Sequence, residues 1–331
     1  MIDVIDRARD VIDLLERNDV DALRARCSER LRDWSAAEWV RDAWMPRLND
    51  FAGAERRIIR GWAVSDLVAR FIIEGDRGQA FVTVRLDAEG MLEGLGVDAD
   101  DRDGGFGVII QCGADRCDEL QTFYAKLVRA PLGFGEGGDS PAPRWPDPAY
   151  PQQMHLDILV PDLDAAEEVV LADGATKLQD RGGFRTYADP LGHPFCLYPD
   201  TSGEGDLYGR LGVLARVVID CPDPAALASF YGGLLEMPRT MESSVDRVVI
   251  AREDGKLPML GMQRVQDYLP PRWPDPRYPA QLHFDIKFDD RETAERRAIA
   301  LGATLLPPQG GSCPVYADPA GHPFCLCMPG E

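Results

Sequence analysis

The chain has 331 residues, room for two or three domains, and sets 36 Lys and Arg against 56 Asp and Glu, a net charge of −20. That balance repels a phosphate backbone and an anionic bilayer, which excludes nucleic acid and membrane as partners. No basic leader precedes an apolar run, so a cytoplasmic location is expected, with the eight Cys reduced and no CxxC pair to build a structural zinc site.

Residues 1–100 read as helices followed by a sheet. Ile2, Ile5, Ala8, Ile12, Leu14 and Leu15 recur at helical spacing. Asp19 and Asp21 stand where a second helix can start, and Ser35-Ala-Ala-Glu38 has capping-box form ahead of a third. The runs RRIIRGWAV, DLVARFIIEG, GQAFVTVRL and GMLEGLGV then predict a meandering antiparallel sheet, an α+β unit. This order, with the run FVTVRLDAEGMLEGLGVD and its D-x-x-G turn, resembles the NTF2-like cone. The resemblance implies a hollow domain that holds a small molecule or pairs two copies into a homodimer. No His or Asp-His pair in this region is singled out by spacing, so a structural role is expected.

DADDRDGGFG (98–107) and PDTSGEGDLYGRLG (199–212) have linker composition. Between and after them the chain repeats itself. FGVIIQCGADRCDELQTFYAKL answers VLARVVIDCPDPAALASFYGGLL, RWPDPAYPQQMHLDI answers RWPDPRYPAQLHFDI, and YADPLGHPFCLYP answers YADPAGHPFCLCMP. Agreement in order over several blocks marks a duplication, with copies at 105–200 and 211–329.

In each copy the second half reads strand, helix, strand, strand, strand. Such doubled βαβββ modules, with VVIDCPDPAALASFY and DPAGHPFCL, resemble the vicinal oxygen chelate superfamily, which includes glyoxalase and bleomycin-resistance proteins. The resemblance implies α+β modules paired into a cup. Between Tyr124 and Arg144 lie residues 125–143, 19 in all, whereas residues 232–271, 40 in all, separate Tyr231 from Arg272. The first copy has therefore lost about two strands, and the second is expected to hold the complete cup, with pairing within or across copies left open.

Metalloenzymes of this superfamily carry His or Gln on first strands and Glu on last strands. The matching positions here are Arg216, Gln263, His283 and Cys325, repeated in the first copy by His155 and Cys196. Arg is a permanent cation and no ligand. The carboxylates are missing, so no metal cofactor is expected; His283 and Cys325 are what would remain of a site for Mn, Fe, Ni or Zn. Asp285 and Asp157 stand two residues beyond each His, on the same strand face, and a His-x-Asp pair can also serve acid-base chemistry. Trp273 and Trp145 sit in Pro-rich loops suited to covering a cup, and His193 and His322 in D-P-x-G-H-P turns suited to a structural task. Three functions stay open: metal-independent binding of a small organic molecule such as an antibiotic or metabolite, a lyase, isomerase or dioxygenase, and a scaffold.

Overall fold

A computed structural model describes residues 4–17, 19–29, 45–63, 67–76, 78–98, 105–113, 116–128, 132–136, 143–145, 147, 152–201, 211–253, 255–273, 275, 280–288, 290–307 and 313–328. The chain forms two compact units. One is Met1–Gly105 with Lys287–Arg291 and Cys327–Glu331; the other is Phe106–Ile286 with Glu292–Leu326.

In the first unit the apolar stripe at the N-terminus folds as helix α1 (Val4–Glu16) and buries Ala8, Val11, Ile12 and Leu15. Asp19 caps α2 (Val20–Arg26), accepting from the Ala22 amide at 3.1 Å. A third helix, α3, spans Met45–Ala52; Ser35 to Glu38 lie outside the described residues. Strands β1 (Arg56–Ala63), β2 (Val68–Gly75), β3 (Gly78–Leu86) and β4 (Leu92–Asp98) form an antiparallel meander in chain order. Period-two alternation puts Phe71 and Ile73 of β2 and Val82 and Val84 of β3 into one core with the helix stripe. The D-x-x-G turn before β4 is closed by Asp87, whose Oδ1 accepts from the Met91 amide at 2.8 Å, and by Gly90 at φ 79°.

In the second unit the first copy supplies β5 (Gly105–Cys112), α4 (Cys117–Leu127), β6 (Leu132–Glu136), β7 (Met154–Val160), α5 (Leu163–Ala172), β8 (Thr176–Asp180), β9 (Arg185–Ala188) and β10 (Pro194–Pro199). The second copy supplies β11 (Val213–Cys221), α6 (Pro224–Leu234), β12 (Arg239–Ser243), β13 (Arg247–Ala251), β14 (Met259–Arg264), β15 (Leu282–Lys287), α7 (Arg291–Leu301), β16 (Thr304–Leu305), β17 (Val315–Ala317) and β18 (Pro323–Cys327). An eight-stranded sheet runs β12-β13-β14-β11-β7-β10-β9-β8, and a six-stranded sheet runs β16-β17-β18-β15-β5-β6.

Each sheet thus joins half of one copy to half of the other. The expectation that the second copy alone holds the complete cup is corrected: the complete pairing unites the second half of the first copy with the first half of the second, through antiparallel β7 and β11. β6 runs parallel to β5 as β14 runs parallel to β11, so among the described residues the missing strands are the counterparts of β12 and β13. The two halves are tied by the Gln repeated in the duplicated string. The Gln153 amide donates to Gln281 Oε1 and the Gln281 amide to Gln153 Oε1, both at 3.0 Å.

Aromatic packing among the described residues links the copies where Phe106 meets Phe284 at 5.2 Å, and otherwise stays within a copy. Phe123 of α4 meets Phe195 of β10 edge-on at 5.7 Å, and Phe230 of α6 meets Phe324 of β18 at 5.8 Å. Burying each such ring removes enough apolar surface for about 1.5–3 kcal/mol. The expectation of reduced thiols is corrected at four positions. Cys112, ending β5, and Cys117, opening α4, are disulfide-bonded with Cα atoms 5.3 Å apart, and Cys313 and Cys327 are also in disulfide form. The short strand-to-helix loop of the first copy brings the first pair within bonding reach.

Candidate functional site

Strand alternation decides which side chains can meet. On β7, Met154, Leu156 and Ile158 are buried in the core, which leaves His155 and Asp157 on the opposite face. Register then lays neighbours beside them: Cys196 of β10 and Arg216 of β11 both stand opposite Asp157. Arg216 Nε donates to Asp157 Oδ2 at 2.9 Å, and Arg247 of β13 reaches the same oxygen from Nη2 at 3.4 Å. His155 Nε2 stands 3.5 Å from Asp157 Oδ1, an ion-pair distance beyond a good hydrogen bond. Asp157 is 1% exposed. Burial pushes its carboxyl up, but His155, Arg216 and Arg247 together outweigh that and hold it below its ordinary value.

Around this carboxylate lie further polar groups. Cys196 shares a 3.4 Å contact with Thr186, and burial, reinforced by Asp157, pushes its thiol up to about 12. The Arg216 guanidinium lies 5.3 Å over the Tyr198 ring, which stacks on Phe184 at 4.8 Å. At the far end of β11, Asp220 accepts from Gln263 Nε2 at 3.3 Å, and burial raises its carboxyl above the ordinary value.

The same string builds a second cluster on the six-stranded sheet. His283 Nε2 is 3.3 Å from Asp285 Oδ1, and the Cys325 thiol is hydrogen-bonded to Asp285, which together with burial raises it. Gln111 of β5 donates its Nε2 to His283 Nδ1 at 2.8 Å, which leaves the ring proton on Nε2, facing Asp285. This cluster is more open; the Asp285 side chain is 32% exposed. The Gln111 amide donates to Gln281 O as the Asp220 amide donates to Gln153 O, both at 3.0 Å. By that register Gln111 matches Asp220 and Gly107 matches Arg216, while β13, which carries Arg247, has no described counterpart.

Sequence reading grouped Arg216, Gln263, Trp273, His283, Asp285 and Cys325 into one site. The structure separates them: Arg216 and Gln263 join His155, Asp157 and Cys196, and His283, Asp285 and Cys325 stand on the other sheet. The correction follows from the cross-copy pairing. Trp145 and Trp273 sit half-buried in matching turns, closed by the Asp147 amide on Arg144 O at 2.8 Å and the Asp275 amide on Arg272 O at 2.7 Å. Neither ring is among the aromatic contacts of either cluster within the described residues.

Sequence reading missed Arg247, Asp220 and the partners of the turn His residues. Asp189 Oδ1 accepts from the Leu191 and His193 amides, while Oδ2 takes the Tyr124 hydroxyl at 3.1 Å and lies 3.0 Å from His193 Nδ1. Asp318 does the same for Ala320, His322 and Tyr231, whose hydroxyl is 2.9 Å away. Gly192 and Gly321, both at φ 97°, permit the turn. These are structural locks, and the repetition of FY and YADPxGHP in both copies was the signal for them.

Two sheets built from duplicated strand-helix modules are the architecture of the vicinal oxygen chelate class, here with Cys in place of a carboxylate on the last strand of each copy. The family model of the glyoxalase-like domain matches the chain twice, over residues 107–198 and 216–327, and the chain belongs to that family. Among solved structures, a glyoxalase I mutant from Zea mays is 13% identical, aligned over 86% of this chain and 88% of its own, at a TM-score of 0.42. A putative dioxygenase from Bacillus subtilis is 11% identical over 70% of this chain and 87% of its own, at 0.46. The fosfomycin resistance protein FosX from Mesorhizobium loti is 16% identical over 34% of this chain and 86% of its own, at 0.26. No curated protein matches the chain.

Proposed function

We propose that the chain is a small-molecule-binding member of its family, and that the eight-stranded sheet holds the molecule without a metal ion. The observation that carries this is the convergence of Arg216 and Arg247 on Asp157. His155, Asp157 and Cys196 place one ligand atom each within 4.8 Å of one another, the spacing a metal would want. Two permanent cations already neutralise the carboxylate and would stand beside any ion bound there. This cluster does not fit a divalent ion. Its guanidiniums and the stacked Tyr198 and Phe184 instead combine fixed polar groups with an apolar wall, as small-molecule sites do. Sequestration of an antibiotic or metabolite in the cytoplasm is the role this supports. The first unit we assign to an NTF2-like domain that pairs two copies into a homodimer. No helix among the described residues is long and apolar enough to cross a membrane.

The second cluster favours a different reading. His283, Asp285 and Cys325 bring N, O and S donors within 4.8 Å, a set that fits a zinc-type ion with one position left open. When bound there, the ion would polarise an oxygen of a substrate. Gln111 fixes the His283 ring for it, and Asp285 can take or hold the Nε2 proton in its absence.

Metal analysis of the untagged protein together with a thermal-unfolding screen of antibiotics and metabolites tests both readings. A binding molecule raises the unfolding temperature with the logarithm of its concentration. The expected result is such a rise in metal-free protein. No rise with any class of molecule would overturn the binding reading, and cobalt absorption that survives Cys325→Ser would overturn the metal reading.

A further inference from the structure

Resting on the reading that the eight-stranded sheet binds the molecule, we infer that this ligand is a small organic acid whose carboxylate is gripped by Arg216 and Arg247. The first support is donor capacity. A guanidinium offers five N–H donors in a rigid fork that matches a carboxylate two bonds at a time. Arg216 uses Nε on Asp157 at 2.9 Å, and among the described residues its two Nη groups bond no protein acceptor. Arg247 makes one long bond from Nη2, at 3.4 Å. Its Nε stands 3.5 Å from the Glu242 carboxylate on the exposed edge strand, an ion-pair distance only. Most of the donor capacity of the pair is therefore unspent.

The second support is independent of the first. His155 Nδ1, Asp157 Oδ1 and Arg247 Nε are all buried without a hydrogen-bond partner, and both His155 and Arg247 lie against Asp157. His155 is 7% exposed and Asp157 1%. Buried polar atoms are paired in the great majority of cases, and of these three Arg247 Nε is a donor that an incoming carboxylate satisfies. Beside it, Tyr198 stacked on Phe184 offers a flat apolar surface against Arg216, suited to the planar remainder of an unsaturated or aromatic acid.

The six-stranded sheet provides a comparison inside the same molecule. It repeats the His-x-Asp and Cys groups, but has Gly107 where the other sheet has Arg216 and no described strand equivalent to β13. A ligand recognised through guanidiniums binds one sheet and not the other.

The test uses the full chain and four probes: acetate and benzoate, with acetamide and benzamide as neutral partners of the same shape. Calorimetric titration is expected to show the acids binding, benzoate more tightly, and the amides not. Arg247→Gln, which leaves Arg216 on Asp157, is expected to weaken benzoate about tenfold, the worth of one charge-assisted hydrogen bond. Arg216→Lys keeps a cation beside Asp157, so the fold is retained, yet lacks the fork and should lose a similar factor. Asp157→Asn releases both guanidiniums and should tighten benzoate. His283→Ala should leave it unchanged. Benzoate affinity equal in wild type, Arg247→Gln and Arg216→Lys would overturn the inference. So would binding of the amides without the acids, although the broader binding reading would then stand. Silence of all four probes, together with neutral ligands found by the thermal screen, rejects the acid and keeps the site; silence in both experiments rejects both.

Discussion

The eight-stranded and six-stranded sheets start from nearly the same string and finish with different chemistry. In both, the second half of a copy brings His-x-Asp on its first strand and Cys on its last. What differs is the half that pairs with it. β11 to β14 bring Arg216, Arg247, Asp220 and Gln263 to His155, whereas β5 and β6 bring Gly107 and Gln111 to His283. One carboxylate is buried and neutralised by guanidiniums; the other is a third exposed and faces an imidazole held by an amide. The task of a repeated motif is thus set by residues on the strands paired beside it, which the motif does not contain.

The largest expected effect breaks this comparison at its centre. Arg216→Ala leaves Asp157 with only the longer Arg247 and His155 contacts, at a cost of about 3 kcal/mol in urea unfolding, the low end for breaking a buried pair. Asp285→Ala removes a partly solvated group and should cost about 1 kcal/mol or less. Equal losses would show that the two clusters are energetically alike.

The strand-to-helix turns come next. In the second copy Asp223 caps α6, accepting from the Ala225 and Ala226 amides at 3.1 Å, with Pro224 in the first turn. In the first copy Arg116 makes no side-chain cap bond to α4, and the Cys112–Cys117 disulfide joins strand to helix instead. Closing so short a loop is worth about 2 kcal/mol. Cys112→Ala with Cys117→Ala should lose that amount under oxidising conditions and become insensitive to dithiothreitol at this position. Smaller still, and equal in the two copies, are Tyr124→Phe and Tyr231→Phe. Each leaves a buried Asp short of one donor and should cost about 1–2 kcal/mol by the same unfolding measurement. A marked inequality would show that the shared turn lock is not shared in energy.

How much of this was legible in the sequence depends on whether a signal is local. The duplication, the α+β texture of the first unit and the pairing of His155 with Asp157 follow from periodicity and repetition, both local. The pairing of modules does not. β5 and β11 read alike, as do β7 and β15, so within-copy and cross-copy sheets satisfy the same alternation, and the sequence cannot rank them. That ambiguity is why Arg216 was grouped with His283. Arg247 was missed for another reason: it lies on a strand with no repeat partner among the described residues, and only its polar phase before the run Val248–Ala251 hints that it faces away from the core. The disulfide at Cys112 was hidden by the extra residues that place Cys117 only in the first copy.

The smallest effect separates two carboxyls on the same sheet by the sign of their pH dependence. Asp157 is held below its ordinary 3.8 once its partners outweigh burial, so its stabilising contribution is present above that value and is lost as pH falls through the lower, native one. Asp220 is the reverse. Burial raises it against the pull of His155 and hydrogen bonds from Gln152 and Gln263, so its contribution is full below 3.8 and is lost as pH rises through the higher, native value. Asparagine keeps the acceptor oxygen of Asp220 without the charge. Asp220→Asn should therefore stabilise the protein at neutral pH, by up to about 1 kcal/mol, with the gain vanishing in acid. Asp157→Asn should destabilise at neutral pH and converge on wild type in acid, because the guanidiniums lose their counter-charge in one case and gain nothing in the other. Urea midpoints of the three proteins from about pH 3 to about pH 8 decide it, given that buried charge is tolerated only where it is paired. Two variants shifting in the same direction at neutral pH would mean that Asp220, like Asp157, is ionised and paired in the folded protein.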